Sequence, residues 1–186
     1  LAGTIHVGAD LDAATIAISN SCRMQIRMGQ GAPSLVPSIQ VFGPNGNQIT
    51  ADYTPEYRAE ITTAILTNMG IYTVACSDFF KSRGAYVLSI VKIPGELEGD
   101  DLDIGWIING ETKTGAIDKP GDLDVAFFNA ITGDVISVVM QKKTAALNPV
   151  MELYGPDAEL IAIAKDPLQQ QAAITNLLLN TTGKYT

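Results

Sequence analysis

The chain has 186 residues, 46% hydrophobic and 17% charged, with 17 glycines and a net charge of −8. That is enough apolar content for one large or two small cores, and no apolar run approaches the ~18 residues of a membrane span. The acidic balance argues against a surface that tracks phosphates, so nucleic acid is an unsuitable partner. Abundant glycine, few charges and evenly spread β-branched residues favour short strands and turns over long helices.

In chain order, the first half reads as strands at 13–18, 23–28, 38–42 and 48–50, with a turn at Gly43-Pro44-Asn45-Gly46. Polar and apolar residues alternate strictly over Arg23-Met24-Gln25-Ile26-Arg27-Met28, which predicts one wet and one buried face. Residues 57–68 fit a helix or a strand pair by period; Ile61-Thr62-Thr63 favours strands. Glu96, Glu98, Asp100, Asp101 and Asp103 then form an acidic linker. Strands follow at 125–130, 135–140, 150–154 and 160–164, and 169–180 repeats the ambiguity of 57–68, with Ile174-Thr175 again favouring strands.

The two halves are copies of one unit. Gly3-Thr4-Ile5 and Asp10-Leu11-Asp12 recur 112 positions later as Gly115-Ala116-Ile117 and Asp122-Leu123-Asp124. Gly43-Pro44 recurs as Gly155-Pro156. After one inserted residue, Gly70 and Tyr72-Thr73 recur as Gly183 and Tyr185-Thr186. The expected fold is all-β: two tandem jelly-roll-like antiparallel β-sandwich domains, at 1–94 and 105–186, joined by the linker 95–104. The first copy lacks a counterpart of Gly105-Trp106-Ile107-Ile108, and the second lacks the strands after Tyr185-Thr186. Both outer edges are therefore expected to be unfinished. The expected assembly is head-to-tail: neighbouring subunits complete one another's sheets by strand addition, giving a filament. Because the chain begins with Leu1, either a signal peptide has been removed or the start lies inside a longer protein, and both fit a secreted or cell-surface location.

Candidate sites are few. His6 is the only histidine and has no counterpart in the second copy, so no nucleophile–base pair is indicated and the chain reads as non-catalytic. Asp10 and Asp12, with Asp122 and Asp124, have either of two roles: capping turns through backbone N–H groups, or offering carboxylates to Ca²⁺, the one cofactor considered and not a required one. Cys22 and Cys76 lie on inward-facing positions, as a disulfide or as two buried thiols. Trp106 is a packing residue or a platform for stacking sugars. Asn180-Thr181-Thr182 is an N-glycosylation sequon, meaningful only in a host that glycosylates.

Gly115-Ala116-Ile117, Gly121-Asp122-Leu123-Asp124, Gly133-Asp134, Asn148-Pro149, Leu153-Tyr154-Gly155-Pro156-Asp157 and Gly183-Lys184-Tyr185-Thr186 together resemble the bacterial pre-peptidase C-terminal domain family. The first copy departs from this pattern, with Ala9 for the first glycine and Ser21-Cys22 for Gly-Asp. The resemblance implies a jelly-roll-like sandwich of secreted proteins, often beside a hydrolase domain, with accessory or binding roles and sometimes bound calcium. Two functions follow as expectations. The first is an extracellular structural or adhesion-type protein that self-associates or joins repeats of its own array. The second is an accessory module of a larger secreted hydrolase that binds polysaccharide or a protein matrix.

Overall fold

The computed structural model describes residues 1–94, 104–166, 168 and 170–186, and the acidic residues 96–103 of the expected linker lie outside them. Every regular element among the described residues is a strand. The chain is all-β. The described residues fall into two units, Leu1–Ile93 with Thr114–Asp124, and Ile104–Lys113 with Val125–Thr186. Residues 114–124, which the repeat assigns to the second copy, thus pack with unit 1.

Unit 1 holds β1 (Ala2–Ile5), β2 (Asp12–Ile18), β3 (Cys22–Gln30), β4 (Pro37–Phe42), β5 (Gln48–Asp52), β6 (Arg58–Leu66), β7 (Gly70–Asp78) and β8 (Gly84–Ile93). They form two four-stranded antiparallel sheets, β1-β8-β3-β6 and β2-β7-β4-β5, the strand alternation of a jelly roll. Met24, Ile26 and Met28 of β3 share a core with Ile39, Val41, Tyr72 and Val74 of the other sheet, each at most 1% exposed. This is the buried face that the alternation in β3 predicts. The opposite face is not uniformly wet: Arg23 and Gln25 are also buried, and further along β3 another segment covers the same face. Part of that cover is Pro120-Gly121, which lies against Gly29 and the β-carbon of Arg27. A side chain at Gly29 would overlap the Pro120 carbonyl, so glycine is required for the approach.

Unit 2 holds β9 (Gly105–Trp106), β10 (Ala126–Ala130), β11 (Val135–Gln141), β12 (Val150–Tyr154), β13 (Leu160–Lys165), β14 (Gln171–Leu178) and β15 (Gly183–Tyr185). Its antiparallel pairs reproduce those of unit 1 in register. Val139 faces Ala173 as Arg27 faces Glu60, Phe128 faces Tyr185 as Ile16 faces Tyr72, and Leu153 faces Ala162 as Val41 faces Thr50. Both segments that were ambiguous by period are strands, β6 and β14.

The matched turn residues have one physical role in each copy. A β-carbon at Gly70 would approach Pro44 to 2.6 Å, and one at Gly183 would approach Pro156 to 2.7 Å. The Tyr72 hydroxyl donates to the Asn68 carbonyl at 2.8 Å, and the Tyr185 hydroxyl to that of Thr181 at 2.5 Å. In each case a buried phenol ties the start of a strand to the preceding turn, in the manner of a tyrosine corner.

Candidate binding edges and acidic turns

The acidic turns are nearly superimposable in their bonding. Asp10 accepts from the His6 amide at 3.0 Å through Oδ2 and from the Leu11 amide at 3.0 Å through Oδ1. Asp122 does the same with Asp118 and Leu123, at 3.0 and 3.1 Å. The Asp10 amide donates to Val7 O and the Asp122 amide to Lys119 O, and the left-handed residues Ala9 (φ 70°) and Gly121 (φ 82°) occupy matching positions. These carboxylates close the turns. Among the described residues, no group of three or more His, Cys, Asp or Glu side chains is placed to hold a metal ion. His6 lies just after β1 and is exposed.

Asp12 has a different environment. Tyr86 lies opposite Gly3 in the β1–β8 pair, its ring occupying the space where a side chain at residue 3 would stand. Its hydroxyl donates to Asp12 Oδ2 at 2.8 Å, joining the two sheets. Burial first, then the Asp12 hydrogen bond and the charges of Cys76, Asp12 and Asp10, push the Tyr86 phenol well above its ordinary value. Cys76, directly opposite Asp12 on β7, is pushed up to about 12 by burial and by the Asp12 charge.

Cys22 and Cys76 are both buried free thiols, which is the second of the two alternatives open from sequence. The register explains it. Ile18 pairs with Gly70 at one end of the β2–β7 ladder and Asp12 with Cys76 at the other, whereas Cys22 follows Ile18 after a short turn. The two sulfurs therefore sit near opposite ends of the unit, beyond disulfide reach. Burial also raises the Cys22 thiol, against a smaller opposing effect of Lys92.

The remaining surface features are edges. β3 pairs with β6 on one side and β8 on the other, whereas among the described residues its counterpart β11 pairs only with β14. On that pair Val135, Val139 and Leu178 are each more than half exposed. The opposite situation holds at β10, which carries β15 on one edge and β9, in parallel, on the other; its counterpart β2 pairs only with β7 among the described residues. A groove of about 300 Å³ runs along that β2 edge. Trp106 stacks edge-on against Phe127 at 5.1 Å, with the Lys184 ammonium 6.0 Å from its ring, and remains 44% exposed. It packs and presents a face to solvent at once.

Sequence reasoning passed over Tyr86 and Asp78. Asp78 is buried and accepts from the Val36 and Ser82 amides at 2.5 and 2.6 Å, fastening two loops. The signal for Tyr86 was the retained glycine at residue 3, which an apposed aromatic ring demands. No protein-family model matches the chain, and neither does any curated protein. Among the described residues, no helix is long and apolar enough to cross a membrane.

Proposed function

We propose that this is a non-catalytic extracytoplasmic structural or adhesion-type protein whose units are completed by strands from neighbouring subunits, building a head-to-tail assembly. The observation that carries this reading is the contrast between β3, paired on both edges, and β11, paired on one among the described residues. An unpaired edge offers a row of N–H and C=O groups to another chain, and the exposed valines of β11 add apolar area beside it. The occupant proposed for that edge is a strand patterned like β8, since β8 fills the equivalent place in unit 1. The principal partner is the protein itself, and no cofactor is required. Calcium at the Asp10–Asp12 and Asp122–Asp124 turns is the one ligand that the family resemblance adds.

Intact mass spectrometry with negative-stain electron microscopy of the purified 186-residue chain tests the assembly. Filaments at the expected mass, shortened by a synthetic peptide of residues 84–93, support it; a monodisperse monomer unaffected by that peptide removes it. The half-exposed Trp106 favours a second reading, an accessory module that binds polysaccharide or a protein matrix for a larger secreted hydrolase. A hydrolase domain encoded beside this segment, together with retention on polysaccharide that is lost in Trp106→Ala, would favour that reading.

A further inference from the structure

Four loops meet at one end of unit 1. Ile5 pairs with Gly84, Gly29 with Arg58, Pro37 with Asp78 and Ile39 with Asp52, so residues 6–11, 31–36, 53–57 and 79–83 all lie beyond the same strand ends. The loops are braced. The Phe79 amide donates to Val36 O at 2.8 Å, the Gln30 amide to Tyr57 O at 3.1 Å and the Ser34 hydroxyl to Arg83 O at 2.9 Å. A β-carbon on Gly8 would stand 2.5 Å from the Lys81 carbonyl, so residues 6–11 press on 79–83. This braced end is apolar on its outside: Val7, Leu11, Tyr53, Tyr57, Phe79 and Phe80 are each at least 40% exposed, Phe80 at 67%. Phe79 and Phe80 meet edge to face at 4.9 Å, and the exposed Lys81 and Arg83 stand beside them. The aspartates here are engaged by backbone amides: Asp10 by His6 and Leu11, Asp52 by Thr54 and Glu60, and Asp78 by Val36 and Ser82. Of the acids within the four loops only Glu56 is exposed.

We propose that this end of unit 1 docks on a phospholipid bilayer that carries anionic headgroups. The phenylalanines and the aliphatic side chains of residues 6–11 enter the boundary of the acyl chains, and Lys81 and Arg83 reach the lipid phosphates. So many large apolar side chains exposed on one face mark an interaction surface. Its chemistry is that of the bilayer boundary, which is apolar beneath and anionic above. Tyrosine keeps a polar hydroxyl at headgroup level, and lysine and arginine lay their stems along apolar surface while the charge stays in the polar layer. Lysine is by contrast depleted in interfaces between proteins. The rest of this acidic chain is repelled by an anionic surface, so the two cations turn this end toward it. Loops already held in one conformation lose little entropy on insertion. The face is independent of the strand edges: β9 lies along β10 in unit 2, and the matching place in unit 1 flanks β2 rather than crossing the loops. Its failure leaves the proposal for β11 untouched.

The probe is a vesicle of equimolar phosphatidylcholine and phosphatidylglycerol, floated through a density gradient with the intact chain. Unbound filaments sediment, so flotation reports lipid binding alone. The wild type should float. Phe79→Ser with Phe80→Ser should lower the partition coefficient about tenfold or more, and Lys81→Asn with Arg83→Gln about tenfold, while thermal unfolding shows that both variants remain folded. Asparagine suits the left-handed backbone of Lys81, at φ 59°. No flotation of the wild type, or equal flotation of the wild type and of whichever variants are folded, overturns the proposal. A concentration-dependent dimer abolished by the paired phenylalanine substitutions, with no flotation, would assign the face to a second copy of the chain and overturns it equally.

Discussion

At the scale of single residues, the paired acidic turns and the buried cysteine are the most informative side chains. Each of Asp10 and Asp122 satisfies two backbone donors, so Asp10→Ala or Asp122→Ala should lower stability by about 1 kcal/mol, the usual loss for a local side-chain cap. Urea unfolding measures this. Because the carboxylates are already engaged, millimolar calcium should leave the wild-type midpoint unchanged, and a calcium-dependent rise abolished in these variants would show metal at the turns. Cys76 governs the alkaline side. Its thiol is raised from an ordinary value of 9.0 to about 12, so the folded state favours the protonated form. The corresponding stability is present below pH 9 and is lost as pH rises toward 12. Tyr86, shifted in the same direction, adds to the loss above its ordinary value of 10.0. Unfolding midpoints should therefore fall above pH 9, and less steeply in Cys76→Ala; parallel slopes would show that the thiol is not responsible. At neutral pH neither thiol of the native protein should react with a disulfide reagent, whereas both should react in denaturant.

At the scale of elements, the alternation in β3 correctly places Met24, Ile26 and Met28 inside, but it cannot report what lies on the other face. A period of two says which residues share a side, not whether that side meets water. The Gly29–Pro120 approach is the clearest instance: it joins residues far apart in sequence and depends on one absent side chain. Gly29→Ala should displace the 114–124 segment or strain β3, at a cost of about 1–3 kcal/mol as an overpacked site. Faster amide exchange or earlier proteolysis confined to 114–124 would identify displacement of the segment. Unchanged exchange there, with full stability, would show that the approach is not tight.

At the scale of the whole molecule, one repeated sequence produces two units that differ in strand pairing among the described residues. Unit 1 closes its core between two four-stranded sheets, whereas the pairs of unit 2 leave Val135, Val139, Ile163 and Leu178 more than half exposed. Amides of β11 and β14 should therefore exchange faster than those of β3, β6 and β8, and heating should melt residues 126–186 first. Protection of β11 that rises with protein concentration would accompany the proposed assembly, because an added strand satisfies the same donors.

The amino-acid sequence by itself determined the all-β class, most of the strand positions and the duplicated turn chemistry. Alternation, glycine–proline turns and a constant offset are local or self-referential signals, and the Gly70–Pro44 and Gly183–Pro156 contacts show why those residues match. Tertiary structure alone decided that Cys22 and Cys76 stay apart, that Tyr86 bridges to Asp12, and that residues 114–124 pack with the first unit. Each of these depends on distances between segments remote in the chain, and a linear pattern carries no measure of such distances until sheet register and packing set them.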